Sequence, residues 1–186
     1  YAMGHVELAG NAVLNSHVVF DEFTLTSGIM DIGKYRMTVN HRGINGAGFG
    51  NTKMIKTGGL ASDKGLNFRF SLDPAGDILY PVGVDDNGNK YTPATFAINT
   101  AKPSSSGEFA VVPVVGRHPA SKDEELDLGL VKYEYIPLEF YWKTYSGGFP
   151  NLEDTELTLA FAYHTPYYPS RLLLGFRNFR KSMGEW

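Results

Sequence analysis

The sequence predicts an all-β fold, an antiparallel β-sandwich of jelly-roll-like form with long glycine-rich loops and minimal helix. Large apolar residues alternate with polar ones along several segments, turn-forming residues separate these segments about every ten to fifteen residues, and almost no helical periodicity is present. The chain of 186 residues is long enough for one domain with a sizeable core. Because no repeat of fixed period occurs, we do not expect a propeller or a solenoid.

Period-two alternation is the strongest strand signal. In segment 66–72 every even position is large and apolar and every odd position is polar. A strand with one buried face requires this pattern, because successive side chains point to opposite faces of a sheet. Segments 35–40 and 156–163 repeat it. We therefore predict three strands and a core that includes Leu66, Phe68, Phe70, Leu157, Leu159 and Phe161.

Further strands are predicted where β-branched and aromatic residues concentrate, at 17–26, 78–84, 90–98, 109–115, 128–136, 138–145 and 171–180. Asn87-Gly88 predicts a β-hairpin. Ser121 begins a capping pattern that permits one or two helical turns. Proline lacks the N–H that a central strand needs, so we expect edge strands or bulges at Pro81, Pro93, Pro113 and Pro137.

The domain organisation predicted from the sequence is simple. Residues 1–4 are interpreted as a cloning remnant, because the chain opens with Tyr1 rather than Met; the alternative is a mature chain left after leader removal, which would favour an exported protein. Residues 5–186 are predicted to form a single β-sandwich domain with a C-terminal arm at 171–186. Segments 41–65 and 99–108 are rich in glycine or serine and are predicted to be exposed loops.

Composition excludes several kinds of site. The chain has no cysteine, which excludes disulfides, thiolate zinc sites and a cysteine nucleophile. Its formal net charge of -3 at pH 7 gives no overall attraction to nucleic acid or anionic lipid. No apolar run approaches the roughly 18 residues of a membrane span. We therefore predict no membrane span, and the sequence does not favour a nucleic-acid partner.

No cofactor, no metal site and no catalytic residue is predicted. The five histidines lack the short spacing of a metal clip, and Gly-x-Ser-x-Gly is absent. Segment 85–89 alternates like part of a calcium loop, but Lys90 stands where that loop needs glycine, so we interpret it as a hairpin turn. Glu134 and Glu139 lie among aromatic residues, which leaves open a pair of glycosidase carboxylates.

Two aromatic segments near the C-terminus are candidate contact surfaces. Tyr167 and Tyr168 stand between prolines, and with His164 they are candidate binding residues. Segment 171–186 interleaves aromatic and basic side chains, and burying its rings inside one subunit would also bury unpaired charge. We therefore predict a subunit contact formed by Phe176, Arg177, Phe179, Arg180 and Trp186.

Three classes of function follow. The first is a non-enzymatic structural subunit that self-assembles, of virion, phage-tail or surface-appendage type, whose partners are copies of itself; long loops, edge-type strands and the aromatic, basic arm favour it. The second is a carbohydrate-binding or adhesin β-sandwich that holds a glycan with its loop tyrosines. The third is a sandwich-fold glycosidase or lyase, although the absence of a catalytic constellation favours a protein that is not an enzyme. An extracellular or virion location is favoured over the cytoplasm.

Overall fold

The structure is a computed structural model that describes residues 3–103, 105–119, 125–127, 132–134, 140–149 and 157–161. Within these ranges the protein is all-β and contains no helix, which confirms the predicted class. Its strands are β1 (Met3–Ala9), β2 (Ala12–Val13), β3 (Val18–Ser27), β4 (Ile29–Gly33), β5 (Met37–Val39), β6 (Met54–Thr57), β7 (Leu66–Ser71), β8 (Gly76–Tyr80), β9 (Val82–Asp85), β10 (Asn89–Tyr91), β11 (Ala94–Ile98), β12 (Ser106–Val115), β13 (Glu125–Asp127), β14 (Lys132–Glu134), β15 (Phe140–Gly147) and β16 (Leu157–Phe161).

The strands form four sheets. The largest has six strands in the order β1-β3-β5-β7-β12-β15, and the second has five in the order β10-β9-β6-β4-β2. A three-stranded sheet, β16-β11-β8, and a two-stranded sheet, β13-β14, are antiparallel throughout. The two larger sheets are mixed.

The prediction of a wholly antiparallel arrangement is wrong for the two larger sheets. Strands β1, β3, β5 and β7 run parallel to one another, and so do β2, β4, β6 and β9. The physical reason is that alternation determines which face of a strand is buried, but it carries no information about the direction of the neighbouring strand. In the six-stranded sheet antiparallel pairing begins where β12 joins β7 and β15, and in the five-stranded sheet where β10 joins β9.

The first part of the chain winds like a solenoid, so the prediction that no solenoid occurs is wrong for this part. Successive strands alternate between the two larger sheets, so that each turn of the chain adds one strand to each. In the six-stranded sheet Met3 lies opposite Phe20, Val18 opposite Met37, and Met37 opposite Leu66. Partners in successive turns are therefore 17, 19 and 29 residues apart. Unequal turn lengths explain why no fixed period is visible in the sequence.

At Pro81 and Pro93 one strand ends and the next begins, where an edge strand or a bulge was predicted. Pro81 separates β8 from β9, and Pro93 separates β10 from β11. Pro113 lies inside β12 opposite Trp142, but the pairing of β12 with β7 has already ended at Val111. Pro113 is therefore an edge residue on one side, where its missing N–H breaks no ladder. The Asn87-Gly88 hairpin is also confirmed, with both residues at positive φ.

The two predicted loops contain more structure than expected. Segment 41–65 holds strand β6, whose Met54 and Ile55 are fully buried. In segment 99–108, Ser105 is buried and β12 begins at Ser106. In segment 41–65 the glycines therefore lie in the connections on either side of a buried strand. The predicted strand at 171–180, Pro137 and residues 121–124 of the capping pattern lie outside the described residues.

One hydrophobic cluster joins the sheets. Its members come from both larger sheets and from the three-stranded sheet, and its rings include Phe68 against Tyr80, with centroids 4.4 Å apart. The predicted core residues Leu66, Phe68 and Phe70 are buried in it. The strand predicted around Leu157, Leu159 and Phe161 is confirmed as β16. Among the described residues, no helix is long and apolar enough to cross a membrane.

Candidate functional site

Both larger sheets end, at the N-terminal side, in a strand with a single neighbour. In the described part of the chain β1 pairs only with β3, and β2 pairs only with β4. An edge strand of this kind presents unpaired N–H and C=O groups, which can pair with a strand of another chain. We refer to the free sides of β1 and β2 as the open edge.

The direction of the backbone groups in β1 follows from its ladder with β3. The carbonyl oxygen of Phe23 and the N–H of Leu25 both bond Asn45, at 2.9 Å each, so they point away from β1. The groups of Thr24 between them therefore point towards β1, where Glu7 is the opposite residue. In a parallel ladder Thr24 then pairs with residues 6 and 8, and the N–H and C=O of His5 and Glu7 point to the open edge.

The hydrophobic core reaches the open edge without a polar cap. Val6 and Leu8 on β1, with Ala12 and Leu14 around β2, pack on the core cluster while remaining only partly buried. Met3 and Val13 are 49% and 68% exposed. Terminal turns of stacked β-structures commonly carry a polar outer face. In this protein the first turn, formed by β1 and β2, instead leaves apolar side chains that the core covers only in part.

The outer face of β1 carries a short polar network. His5 Nδ1 lies 3.0 Å from Glu22 Oε2, and the Thr24 hydroxyl oxygen lies 3.4 Å from His5 Nε2. The Thr26 hydroxyl donates to Glu7 Oε1 at 2.8 Å. The order Thr-His-Glu is that of a nucleophile, base and carboxylate, but His5 and Glu22 are about half exposed on an open sheet face. Without a desolvated cleft this arrangement lacks the electrostatic environment of a catalytic triad, and it instead attaches the side chains of β1 to β3.

A second polar group lies farther along the outer face of the six-stranded sheet. Glu108 Oε2 accepts hydrogen bonds from Arg69 Nε at 3.0 Å and Asn67 Nδ2 at 3.1 Å, and Arg36 Nη1 lies 3.9 Å from Glu108 Oε1. Desolvation acts to raise the pKa of Glu108, but the bonds from Arg69 and Asn67 and the charges of Arg69 and Arg36 outweigh it, so the pKa is lowered. These contacts connect β5, β7 and β12.

An open cleft of about 660 Å³ borders this group and is lined by Asn40, Arg69, Phe70, Ser71, Ser106, Gly107, Glu108, Gly147 and Gly148. Two of its glycines have a structural explanation, since a Cβ on Gly107 would lie 2.7 Å from the ring of Phe149 and Gly148 has a φ of 78°. The Glu108 carboxylate is already bonded by Arg69 and Asn67. The cleft therefore has a structural explanation and no acid–base pair.

The five-stranded sheet has its own charged group on β4, β6 and β9. Lys56 Nζ lies 2.9 Å from Asp31 Oδ2 and 3.9 Å from Asp85 Oδ2. Asp85 thus has a cationic neighbour, and its Oδ1 accepts the N–H of Gly88 at 3.2 Å within the hairpin turn. Among the described residues, no group of three or more His, Asp or Glu side chains could hold a metal ion.

Most site residues singled out in the sequence lie outside the described residues, namely His164, Tyr167, Tyr168, Phe176, Arg177, Phe179, Arg180 and Trp186. Glu139 does too, whereas Glu134 ends β14 opposite Glu125 of β13. Their predicted roles stay predictions. Sequence reasoning missed the open edge; the alternation of Val6 and Leu8 with His5 and Glu7 was a signal for strand β1 but not for its position at an edge. Met3 and Gly4, set aside as a remnant, lie within β1.

Comparison of the chain with protein-family models, with curated proteins and with solved structures finds no match.

Proposed function

We propose that the protein is a non-enzymatic structural subunit that self-assembles by adding a β-strand at its open edge. The observation that carries the proposal is the coincidence of unpaired backbone groups and half-covered apolar side chains on the same end turn. Such subunits build virions, phage tails and surface appendages. The protein would then be a sandwich of the two larger sheets that completes its packing only in the assembly.

The open edge lacks features that commonly keep an edge strand from pairing with another chain. Proteins that stay apart protect edge strands with proline, lysine, inward-pointing charges, very short strands or a covering loop. Strand β1 has seven residues with neither proline nor lysine, and its core-facing Val6 and Leu8 carry no charge. Strand addition satisfies the backbone of such an edge, while covering its apolar residues supplies the hydrophobic contribution.

The two other functions have no support among the described residues. Sugar binding was predicted from Tyr167 and Tyr168, and the glycosidase or lyase from Glu134 and Glu139. The predicted contact through the arm at 171–186 is compatible with self-assembly and would be a second interface. We keep it as part of the proposal.

Sedimentation velocity and light scattering over a wide concentration range test the proposal. We expect the mass to rise with concentration. Val13→Lys should weaken association, because it places a charge at the open edge on a side chain that is already exposed. Leu60→Lys is the matched control, since Leu60 is 60% exposed in a loop away from β1 and β2. A chain that stays monomeric at every concentration would contradict self-assembly, and equal association of both variants would contradict the open edge as its interface.

A further inference from the structure

We infer that the partner at the open edge is a second copy of this chain, bound β1 to β1 in antiparallel fashion about a two-fold axis, with Val6 opposite Val6. This inference rests on the proposed self-assembly and adds the partner, the direction and the register. It is argued from the backbone direction of β1, from the sides on which its side chains lie, and from its charges.

The direction follows from symmetry. When the same edge of two identical chains meets, the contact is isologous and the two strands are related by a two-fold axis. A two-fold axis perpendicular to the sheet reverses the strand, so the pair is antiparallel. A head-to-tail contact of β1 with β15, the other outer strand of the six-stranded sheet, would leave a free edge at each end and continue as a filament.

The faces of β1 restrict the register. Opposite residues of an antiparallel pair point to the same face. His5 and Glu7 contact Glu22 and Thr26 on the outer face, whereas Val6 and Leu8 pack on the core. A residue at an odd position must therefore face another odd position. The registers that pair most of the strand are centred on His5, Val6 or Glu7.

Charge and pairing length favour the register centred on Val6. A centre at Glu7 places two carboxylates opposite each other, and like charges directly opposite are unfavourable. A centre at His5 pairs only residues 3–7 and leaves Leu8 and Ala9 of β1 unpaired. A centre at Val6 places His5 opposite Glu7 on both sides of the axis. The register centred on Val6 also pairs all seven residues of β1, because Met3 of each subunit lies opposite Ala9 of the other.

The backbone of β1 fits this register. The N–H and C=O groups of His5 and Glu7 point to the open edge, so each His5–Glu7 pair exchanges two hydrogen bonds across the dimer. Val6 then forms a non-hydrogen-bonded pair with its counterpart, with Cα atoms about 4.5 Å apart. Val6, half covered in one subunit, would be covered by Val6 of the other, whereas Leu8 would lie opposite Gly4 and diagonal to that Val6.

Single cysteines test the register, because the chain has no cysteine of its own. The variants are His5→Cys, Val6→Cys and Glu7→Cys, each oxidised with diamide and analysed by non-reducing electrophoresis. A non-hydrogen-bonded pair lies within the roughly 4.4–6.8 Å between Cα atoms that a disulfide accepts. We expect a covalent dimer from Val6→Cys and little from the other two single variants. A mixture of His5→Cys with Glu7→Cys should also form a covalent heterodimer.

A proline tests the strand pairing itself. Glu7→Pro removes an N–H that points to the open edge and leaves the ladder between β1 and β3 intact. The control Glu7→Ala removes the same carboxylate but keeps the N–H. With one hydrogen bond lost on each side of the axis, Glu7→Pro should weaken the dimer roughly 30-fold relative to Glu7→Ala.

Each outcome separates the inference from the proposed function. A predominant cross-link from His5→Cys or Glu7→Cys overturns the register. If the protein associates but none of the three variants cross-links and Glu7→Pro has no effect, the β1–β1 contact is wrong while self-assembly stands. Filaments that lengthen with concentration would indicate the head-to-tail contact instead. A strictly monomeric chain overturns both the inference and the proposed function.

Discussion

The phenol of Tyr80 donates a hydrogen bond of 2.9 Å to the backbone carbonyl oxygen of Phe109. Tyr80 belongs to the three-stranded sheet and Phe109 to the six-stranded sheet, and both are buried. The bond therefore connects two sheets inside the core, where an unmade hydrogen bond is costly. Burial also raises the pKa of Tyr80 well above its ordinary value, so the phenol remains a donor.

Tyr80→Phe should lower the free energy of unfolding by about 1–1.5 kcal/mol, because it removes this hydrogen bond and keeps the ring. Urea denaturation followed by circular dichroism measures the change. Tyr145→Phe is the control, since Tyr145 is exposed on β15, and we expect it to stay within about 0.5 kcal/mol of the unmodified protein. Equal stabilities of the two variants would contradict the role of the bond.

Phe68→Ala should lower the free energy of unfolding by about 3–5 kcal/mol, because the lost ring leaves a cavity that the packed core fills only in part. Phe68 is 0% exposed and lies against Tyr80. Thermal and urea unfolding both report the effect. Leu79→Ala on β8 is the control, because Leu79 is exposed. We expect it to lower the free energy of unfolding much less than Phe68→Ala does. A melting temperature unchanged by Phe68→Ala would refute the core assignment.

Asp63 should make stability fall as pH rises above about 4. Its carboxylate is fully buried and accepts the N–H of Leu60 at 3.0 Å. Burial raises the pKa of Asp63 against the lowering effect of backbone N–H groups. A raised folded-state pKa means that the favourable contribution is complete below the unfolded-state pKa and is lost as pH rises through the folded-state value.

Asp63→Asn tests this because the amide oxygen can still accept from Leu60 but carries no charge. Relative to the unmodified protein, the variant should gain stability as pH rises above the unfolded-state pKa of Asp, and the gain should level off once pH exceeds the folded-state pKa of Asp63. Urea unfolding at a series of pH values measures the difference. Asp77→Asn, at an exposed position of β8, should show no such trend. Parallel pH profiles of the Asp63 variant and the unmodified protein would contradict the prediction.

Glu108 should show the opposite pH dependence. Its pKa is lowered because the bonds and charges of Arg69, Asn67 and Arg36 outweigh desolvation. The stabilisation is therefore present above the unfolded-state pKa and is lost as pH falls through the folded-state value. The side chains of Glu108 and Arg69 are 35% and 50% exposed, and solvent screening keeps the contribution small.

Glu108→Gln should lower the free energy of unfolding by no more than about 1 kcal/mol at pH 7. The difference from the unmodified protein should shrink at high salt, which screens a partly exposed pair. It should disappear in acid, where the native carboxylate is also protonated. Unfolding curves at two salt concentrations and at several pH values check both trends. A difference that grows in acid would show that the sign is wrong.

Local features of the fold were predictable because local physics determines them. The alternation of Leu66, Phe68 and Phe70 predicted both β7 and its buried face. A weakened ladder was predictable at Pro81 and Pro93, because proline has no N–H to donate, but the sequence did not show that a strand ends at each of them. The hairpin at Asn87-Gly88 followed from two residues that tolerate positive φ.

The sequence by itself therefore determined several of the strands and which of their faces are apolar, although it did not identify β1, β2, β4 or β6. Only the tertiary structure decided which strands are neighbours and in which direction they run, because a parallel and an antiparallel strand have the same period of two. It also decided that β1 is an edge, since an edge is a property of the sheet and not of the strand. The open edge at His5, Val6 and Glu7 could be identified only from the order of all the strands in the six-stranded sheet.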